Sequence, residues 1–195
     1  MRRRPPGRNH RAANKEAQRS GANAEYLVEQ AATLYRVRHE AEVRKRHEPY
    51  RRVGGVKDGL FKAVNTGASG PDFELWLSDG RAGLMEVKSR KGKRVQLGCV
   101  GTPQSEALGQ MVAWGHLALI LLRLAGEWYL LDFRAWHHPT KRSLNAEDLE
   151  TRGARVHETE HGFPDYLASL DIAIQKGSAY LADQEKRYDT PNEDT

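Results

Sequence analysis

A chain of 195 residues, 38% of them apolar, is long enough for one domain with a single core and appendages. It has no run of 18 apolar residues, which argues against a membrane span; its one cysteine, Cys99, excludes an internal disulfide framework and fits a reducing compartment. Of 31 basic and 26 acidic residues, seven basic and one acidic lie in residues 1–20, which leaves 24 and 25 for the rest.

A basic arm on a near-neutral body suggests a polyanion partner, most simply nucleic acid. A solvated tail would show the same composition. Arg2, Arg3, Arg4, Arg11, Lys15 and Arg19 are the arm's candidate contacts. Met1 to Arg4 runs into Pro5-Pro6-Gly7 without an apolar stretch, so a secretory signal is not expected.

Residues 1–14 are rich in Arg, Pro, Gly and Asn and are expected to be disordered. A helix is predicted from Lys15 to about Arg38, because Ala24, Leu27, Val28, Ala31, Leu34 and Tyr35 recur at helical spacing. Glu25 lies near that stripe and, on the helix alone, reads as an exposed carboxylate. Glu40 to His47 alternates small or apolar residues with charged ones and reads as a strand closed by Pro49. Residues 50–59, with Arg51, Arg52 and Lys57, read as a loop or projecting turn. Leu60 to Val64, which contains Lys62, reads as a short strand. The Gly-rich turn from Asn65 to Pro71, with Ser69 in it, allows close backbone approach to a ligand.

Phe73, Leu75 and Leu77 alternate with Asp72, Glu74 and Trp76 in a further strand. Ala82 to Lys88 is expected to pair with it across an Asp79-Gly80 hairpin. A basic loop follows, with Arg90, Lys91, Lys93 and Arg94 as candidate DNA contacts. Pro103 opens a helix to about Trp114, with Leu108, Met111 and Val112 inward. Leu117 to Leu124 reads as a strand buried on both faces, and Trp128 to Phe133 as another. Asn145 caps a short helix ending near Gly153, Asp165 to Ile174 is a last amphipathic segment, and residues 181–195 are polar and expected to fray. The order predicts an α/β fold with a mixed central sheet flanked by helices. The expected division is a basic arm (1–14), one domain (15–175) and a polar tail (176–195).

Strand period two puts Glu86 and Lys88 on one face, and the hairpin brings Asp72 beside them. Two carboxylates and an ammonium on one sheet face can hold a divalent cation and activate water. Mg²⁺ needs only one or two carboxylates, so Asp72 and Glu86 are the candidate ligands, with the Val87 carbonyl as a third. Lys88 would orient or deprotonate the attacking water or stabilise the transition state. Glu-x-Lys alone is frequent on exposed strands; the Gly-rich turn, the hairpin and the basic loop around it strengthen the reading.

Gly70-Pro71-Asp72 and, after thirteen intervening residues, Glu86-Val87-Lys88 resemble the PD-(D/E)xK nuclease motif. Ser20-Gly21-Ala22-Asn23-Ala24-Glu25 resembles the acidic helix motif of Holliday junction resolvases, and Lys88-Ser89-Arg90-Lys91 the basic end of their motif strand. Gln104 matches a glutamine of the RecU-type resolvases, and stretches between Ser143 and Leu167 are similar to the end of that family. The likeness spans roughly residues 20–172; the archaeal-type resolvases are a second relative. It implies a restriction-endonuclease-like fold and a homodimer that binds four-way DNA junctions. It further implies paired nicks with Mg²⁺, or Mn²⁺ in its place, leaving 5′-phosphates, in the cytoplasm of a bacterial or phage-infected cell. Under it Glu25 becomes a metal-site acid and Gln104 a catalytic-site residue. The family has a longer projecting stalk, of which residues 50–59 are a short version.

Other chemistry is weaker. His137, His138, His157 and His161 lack structural-zinc spacing and read as surface histidines. His116 is expected to cap the helix before it. Cys99 has no neighbour that marks a nucleophile, and Gly98 to Gly101 lacks a following Gly-Lys-Ser/Thr. Trp76, Trp114, Trp128 and Trp136 read as core or dimer-face residues. Two further functions stay open: another nuclease of the superfamily, acting on flaps, ends or specific duplex sites, and a non-catalytic DNA-binding protein.

Overall fold

The computed structural model describes residues 8–46, 50–57, 60–65, 70–136 and 141–189, with side chains for 19–46, 70–136 and 141–186. In chain order the elements are α1 (Arg8–Val37), β1 (Ala41–Lys45), β2 (Tyr50–Lys57), β3 (Leu60–Asn65), β4 (Phe73–Leu77) and β5 (Ala82–Arg90). Then come β6 (Val95–Gln96), a 3₁₀ turn (Leu97–Cys99), α2 (Thr102–Ala113), β7 (Leu117–Leu124), β8 (Glu127–Asp132) and α3 (Phe133–Trp136). The chain closes with β9 (Ser143–Leu144), α4 (Ala146–Arg152), β10 (Ala154–Val156) and α5 (Leu170–Asp189).

Six strands form the central sheet in the order β1-β4-β5-β7-β8-β10. Only β5 and β7 run parallel; the other neighbours are antiparallel. A parallel pair needs a crossover, and α2 supplies it. The sheet is therefore mixed and flanked by helices, as expected. β5 is the third of the six strands, hydrogen-bonded on both sides.

Two cores lie on the two sheet faces. Ala24, Val28, Ala31 and Tyr35 of α1, with Leu170 and Ala173 of α5, pack on Phe73, Leu75, Met85, Val87, Leu119 and Leu121. On the other face Leu108 of α2 packs with Leu84, Ile120 and Leu122, joined by Trp136 and Leu149. β7 contributes to both, which explains its nearly unbroken apolar run. The Tyr35 hydroxyl ties α1 to the segment before α5, donating to Asp165 Oδ1 at 3.0 Å and accepting the Leu167 N–H at 3.3 Å.

Four expectations need correcting. α1 begins at Arg8, not Lys15; Ala12, Ala13 and Ala17, with straight-chain Arg, Lys, Glu and Gln residues, carry high helix propensity without an apolar stripe. Residues 50–57 form β2 rather than a loop. β3 pairs only with β2, as a separate two-stranded hairpin outside the central sheet. α5 runs to Asp189, into the tail expected to fray, whose residues 190–195 lie outside the described residues. Asn145 caps α4 as expected: its side chain accepts the Asp148 N–H at 2.9 Å, and Asp148 Oδ2 accepts the Asn145 N–H at 3.0 Å. No helix among the described residues is long and apolar enough to cross a membrane.

Candidate active site

The β4–β5 hairpin builds the site. Gly80 takes φ +90°, a left-handed value suited to glycine. Asp79 Oδ1 accepts the Arg81 N–H at 3.0 Å and closes the turn. The register that follows sets Phe73 opposite Met85, so Asp72 lies just past the end of the ladder, beside Glu86 and Val87. There its Oδ2 accepts the Val87 N–H at 2.8 Å. Its own carbonyl accepts the Arg46 N–H, also at 2.8 Å, which anchors it to the end of β1.

Met85 and Val87 pack toward α1, so Glu86 and Lys88 project to the α2 face. Glu86 is 0% exposed. The Lys88 ammonium pairs with Glu86 Oε1, whereas the buried Oε2 has no hydrogen-bond partner. The N–H and C=O of a strand residue leave from the same edge. The Val87 carbonyl therefore faces the Asp72 side, beyond the end of β4.

Burial, and then the nearby Asp72 charge, push the Glu86 carboxyl up to about 7, against the pull of Lys88. Burial also raises Asp72; the Val87 N–H and Lys88 oppose that rise, Glu25 adds to it and Lys45 offsets it. Two acids sharing a poorly solvated site repel each other, and an added cation relieves that repulsion.

Glu25 reaches this neighbourhood from α1, but its Oε2 is held by Lys45 Nζ at 3.0 Å. The same ammonium takes Glu29 Oε1 at 2.8 Å. Lys45 did not emerge from the sequence. Its signal was the alternation Ala41, Val43, Lys45, which aims it at α1, where Glu25 and Glu29 stand one turn apart. Among the described residues no three His, Cys, Asp or Glu side chains group at metal-holding spacing. The candidate cage is therefore Asp72, Glu86 and one backbone carbonyl. Gln104 lies in the first turn of α2, on the Glu86 face, its amide oxygen over Gly101, where a Cβ would approach it to 2.6 Å.

Ser20 Oγ lies 2.8 Å from Ser89 Oγ, joining α1 to β5. Arg19, Arg90, Lys91, Lys93 and Arg94 are exposed. Arg94 donates to Ser143 Oγ and to the Ser143 carbonyl, each at 3.0 Å. Arg2, Arg3, Arg4 and Ser69 lie outside the described residues, as do His137 and His138. So do the side chains of Arg11 and Lys15 on α1, and of Arg51, Arg52, Lys57 and Lys62 on the β2–β3 hairpin. His157 and His161 are exposed. His116 caps α2 through its backbone N–H, donated to the Met111 carbonyl at 2.9 Å. Burial raises the Cys99 thiol, the wrong direction for a nucleophile. Trp128 and Trp136 are core residues; Trp76 and Trp114 are exposed.

The donor set fits a hard divalent cation. It is all oxygen, it includes a buried carboxylate oxygen with no partner, and it combines two acids that repel each other. Mg²⁺ and Mn²⁺ suit such oxygens.

No family model matches the chain, and no curated protein matches it. Among solved structures it is similar to a Holliday junction resolvase from the archaeal hyperthermophile Archaeoglobus fulgidus. The identity is 14% and the TM-score 0.40, over 63% of this chain and 88% of that one. A likeness of that degree carries no argument about activity.

Proposed function

We propose that the chain is a Mg²⁺-dependent DNA endonuclease whose preferred substrate is the four-way junction. The observation that carries the catalytic half is Asp72 docked on the Val87 N–H beside the buried Glu86–Lys88 pair, with one Glu86 oxygen unpartnered. The junction half rests on the resemblance of the motif stretches around Glu25, Asp72, Glu86 and Gln104 to resolvases.

Asp72, Glu86 and the Val87 carbonyl would hold the cation. When bound, it neutralises charge at the scissile phosphate and lowers the pKa of water. Glu86 holds Lys88 at the site, where the ammonium orients the attacking water or meets the charge that develops on phosphorus. Glu25 stands behind Asp72 as an outer acid restrained by Lys45, and Gln104 approaches from α2. Attack on the phosphate with departure of the 3′ oxygen leaves a 5′-phosphate. A homodimer would supply two such sites for paired nicks.

A second reading, a nuclease for flaps or linear ends, is favoured by the shortness of the Tyr50–Asn65 hairpin relative to the resolvase stalk. The deciding assay offers purified protein a synthetic four-way junction and a linear duplex of the same arm sequence, with Mg²⁺. Cleavage of the junction alone is expected. Equal cleavage of both removes the resolvase assignment, and no cleavage of any DNA with Mg²⁺ or Mn²⁺ removes the nuclease assignment.

A further inference from the structure

Beyond Lys88, β5 continues through Ser89 and Arg90, and its register on β7 sets Ser89 beside Arg123. Ser89 lies two residues from Val87 and Arg123 two from Leu121, so both follow the α1 face. Ser20 of α1 closes on them through its 2.8 Å contact with Ser89. The Ala125-Gly126 turn forms the far wall. Between them is an open cleft of about 320 Å³, with Arg90 and Lys91 at its side.

Among the described residues no carboxylate lines this cleft. Several arginines elsewhere are neutralised: Arg36 and Arg44 by Glu42, Arg46 by Glu74, Arg81 by Asp79 and Asp171, Arg134 by Asp132, and Arg155 by Glu127. Arg90 and Arg123 instead donate to backbone carbonyls, those of Ser89 at 2.8 Å and Gly126 at 3.3 Å. The Arg123 guanidinium also lies 5.4 Å over the Trp128 ring. These contacts aim the two side chains without cancelling their charge. In the Ser20–Ser89 pair one hydroxyl proton is shared, which leaves the other for an outside acceptor.

Guanidinium forks and a hydroxyl donor, with no acid opposite among the described residues, match a phosphate's oxygens. The cleft begins three residues past Glu86, roughly 10 Å along the strand at about 3.3 Å per residue. Because the cleft opens on the α1 face and Glu86 on the α2 face, we propose that it holds a backbone phosphate of the bound DNA some nucleotides away from the scissile one. This rests on the nuclease reading and adds to it a second anchor point. The anchor contributes affinity and register without reading bases.

The test is binding of a fluorescein-labelled four-way junction without divalent metal, across a salt series, so that cleavage plays no part. Arg90→Gln and Arg123→Gln should each weaken binding about fivefold to tenfold and lower the slope of log affinity against log salt by about 0.9, one phosphate's share. Ser89→Ala should weaken binding with the slope unchanged, because the hydroxyl is neutral. Arg123→Lys keeps the charge and should restore the slope, whereas loss of Trp128 packing alone would leave it as low as in Arg123→Gln. Thermal melting of each variant identifies any that fail to fold. Wild-type affinity and slope in a folded variant carrying both Arg90→Gln and Arg123→Gln, or equal loss of slope in Arg123→Lys and Arg123→Gln, overturns the cleft assignment. Wild-type protein that binds no DNA overturns the nuclease reading itself, a distinct result.

Discussion

The Asp72 carboxylate accepts the backbone N–H of Val87 at 2.8 Å. That bond aligns an acid from the start of one strand against the middle of the next. Its direction is set by the hairpin register rather than by a free rotamer. The neighbouring Glu86 carboxyl is then held where the two acids repel each other, and the site is poised for a cation.

Asp72→Asn keeps an acceptor for the Val87 N–H but removes the charge. Cleavage should fall at least about 100-fold, the scale of lost metal or acid–base assistance. The metal-free protein should nevertheless gain stability at pH 8, by about 1 kcal/mol, as repulsion on Glu86 is relieved. Activity assays and thermal melts in EDTA check both; a lower melting temperature would show that repulsion is not the dominant force at this position.

Glu86 gives the metal-free fold a definite pH dependence. Its folded pKa is raised to about 7, so between the unfolded value near 4.3 and about 7 the native state binds more protons than the unfolded one. The stability it contributes is present below the unfolded pKa and is lost as pH rises through the folded pKa. Denaturant unfolding in EDTA should show a loss of order 2 kcal/mol from pH 4.5 to 8 attributable to this group. Glu86→Gln should remove that component. A wild type and variant with parallel pH profiles would contradict it.

Lys45 lowers the Asp72 pKa through space while holding Glu25 and Glu29. Lys45→Met should therefore raise the Asp72 pKa and move the acidic limb of the pH–rate profile upward. The loss of cleavage should be severalfold larger at pH 6 than at pH 8. A uniform loss at both would assign Lys45 to binding instead.

At Gly83 β5 meets β7 tightly: a Cβ there would lie 2.0 Å from the Leu117 carbonyl oxygen. Gly83→Ala must push the strands apart and should cost about 1–3 kcal/mol, the usual range for overpacking. Chemical denaturation measures it; a neutral result would mean that the parallel ladder yields easily.

Much of the site was legible because it is local. Asp79-Gly80 with alternating residues on either side specifies a hairpin and its register, and these place Asp72, Glu86 and Lys88 together. Lys45 was not legible because its partners Glu25 and Glu29 sit on another element, and nothing in its own strand names them. The β2–β3 hairpin was half seen, since period two marks Leu60 to Val64 as a strand but not which strand it pairs with. The ends of α1 and α5 were misjudged for a common reason. Helix there is carried by propensity in polar, Ala-containing sequence, which apolar periodicity does not register. β10 was missed because three residues are too few to show a period.

β5 sits inside the sheet, with strands bonded along both edges. Amides in such a strand exchange with solvent mainly when the whole domain opens, not through fraying. The amides of Gly83 to Met85, paired along both edges, should therefore be among the last to take up deuterium. Local melting would then not take the proposed cation site apart. On the nuclease reading, control over cutting would then act on what arrives at this surface, while the acid pair itself stays assembled.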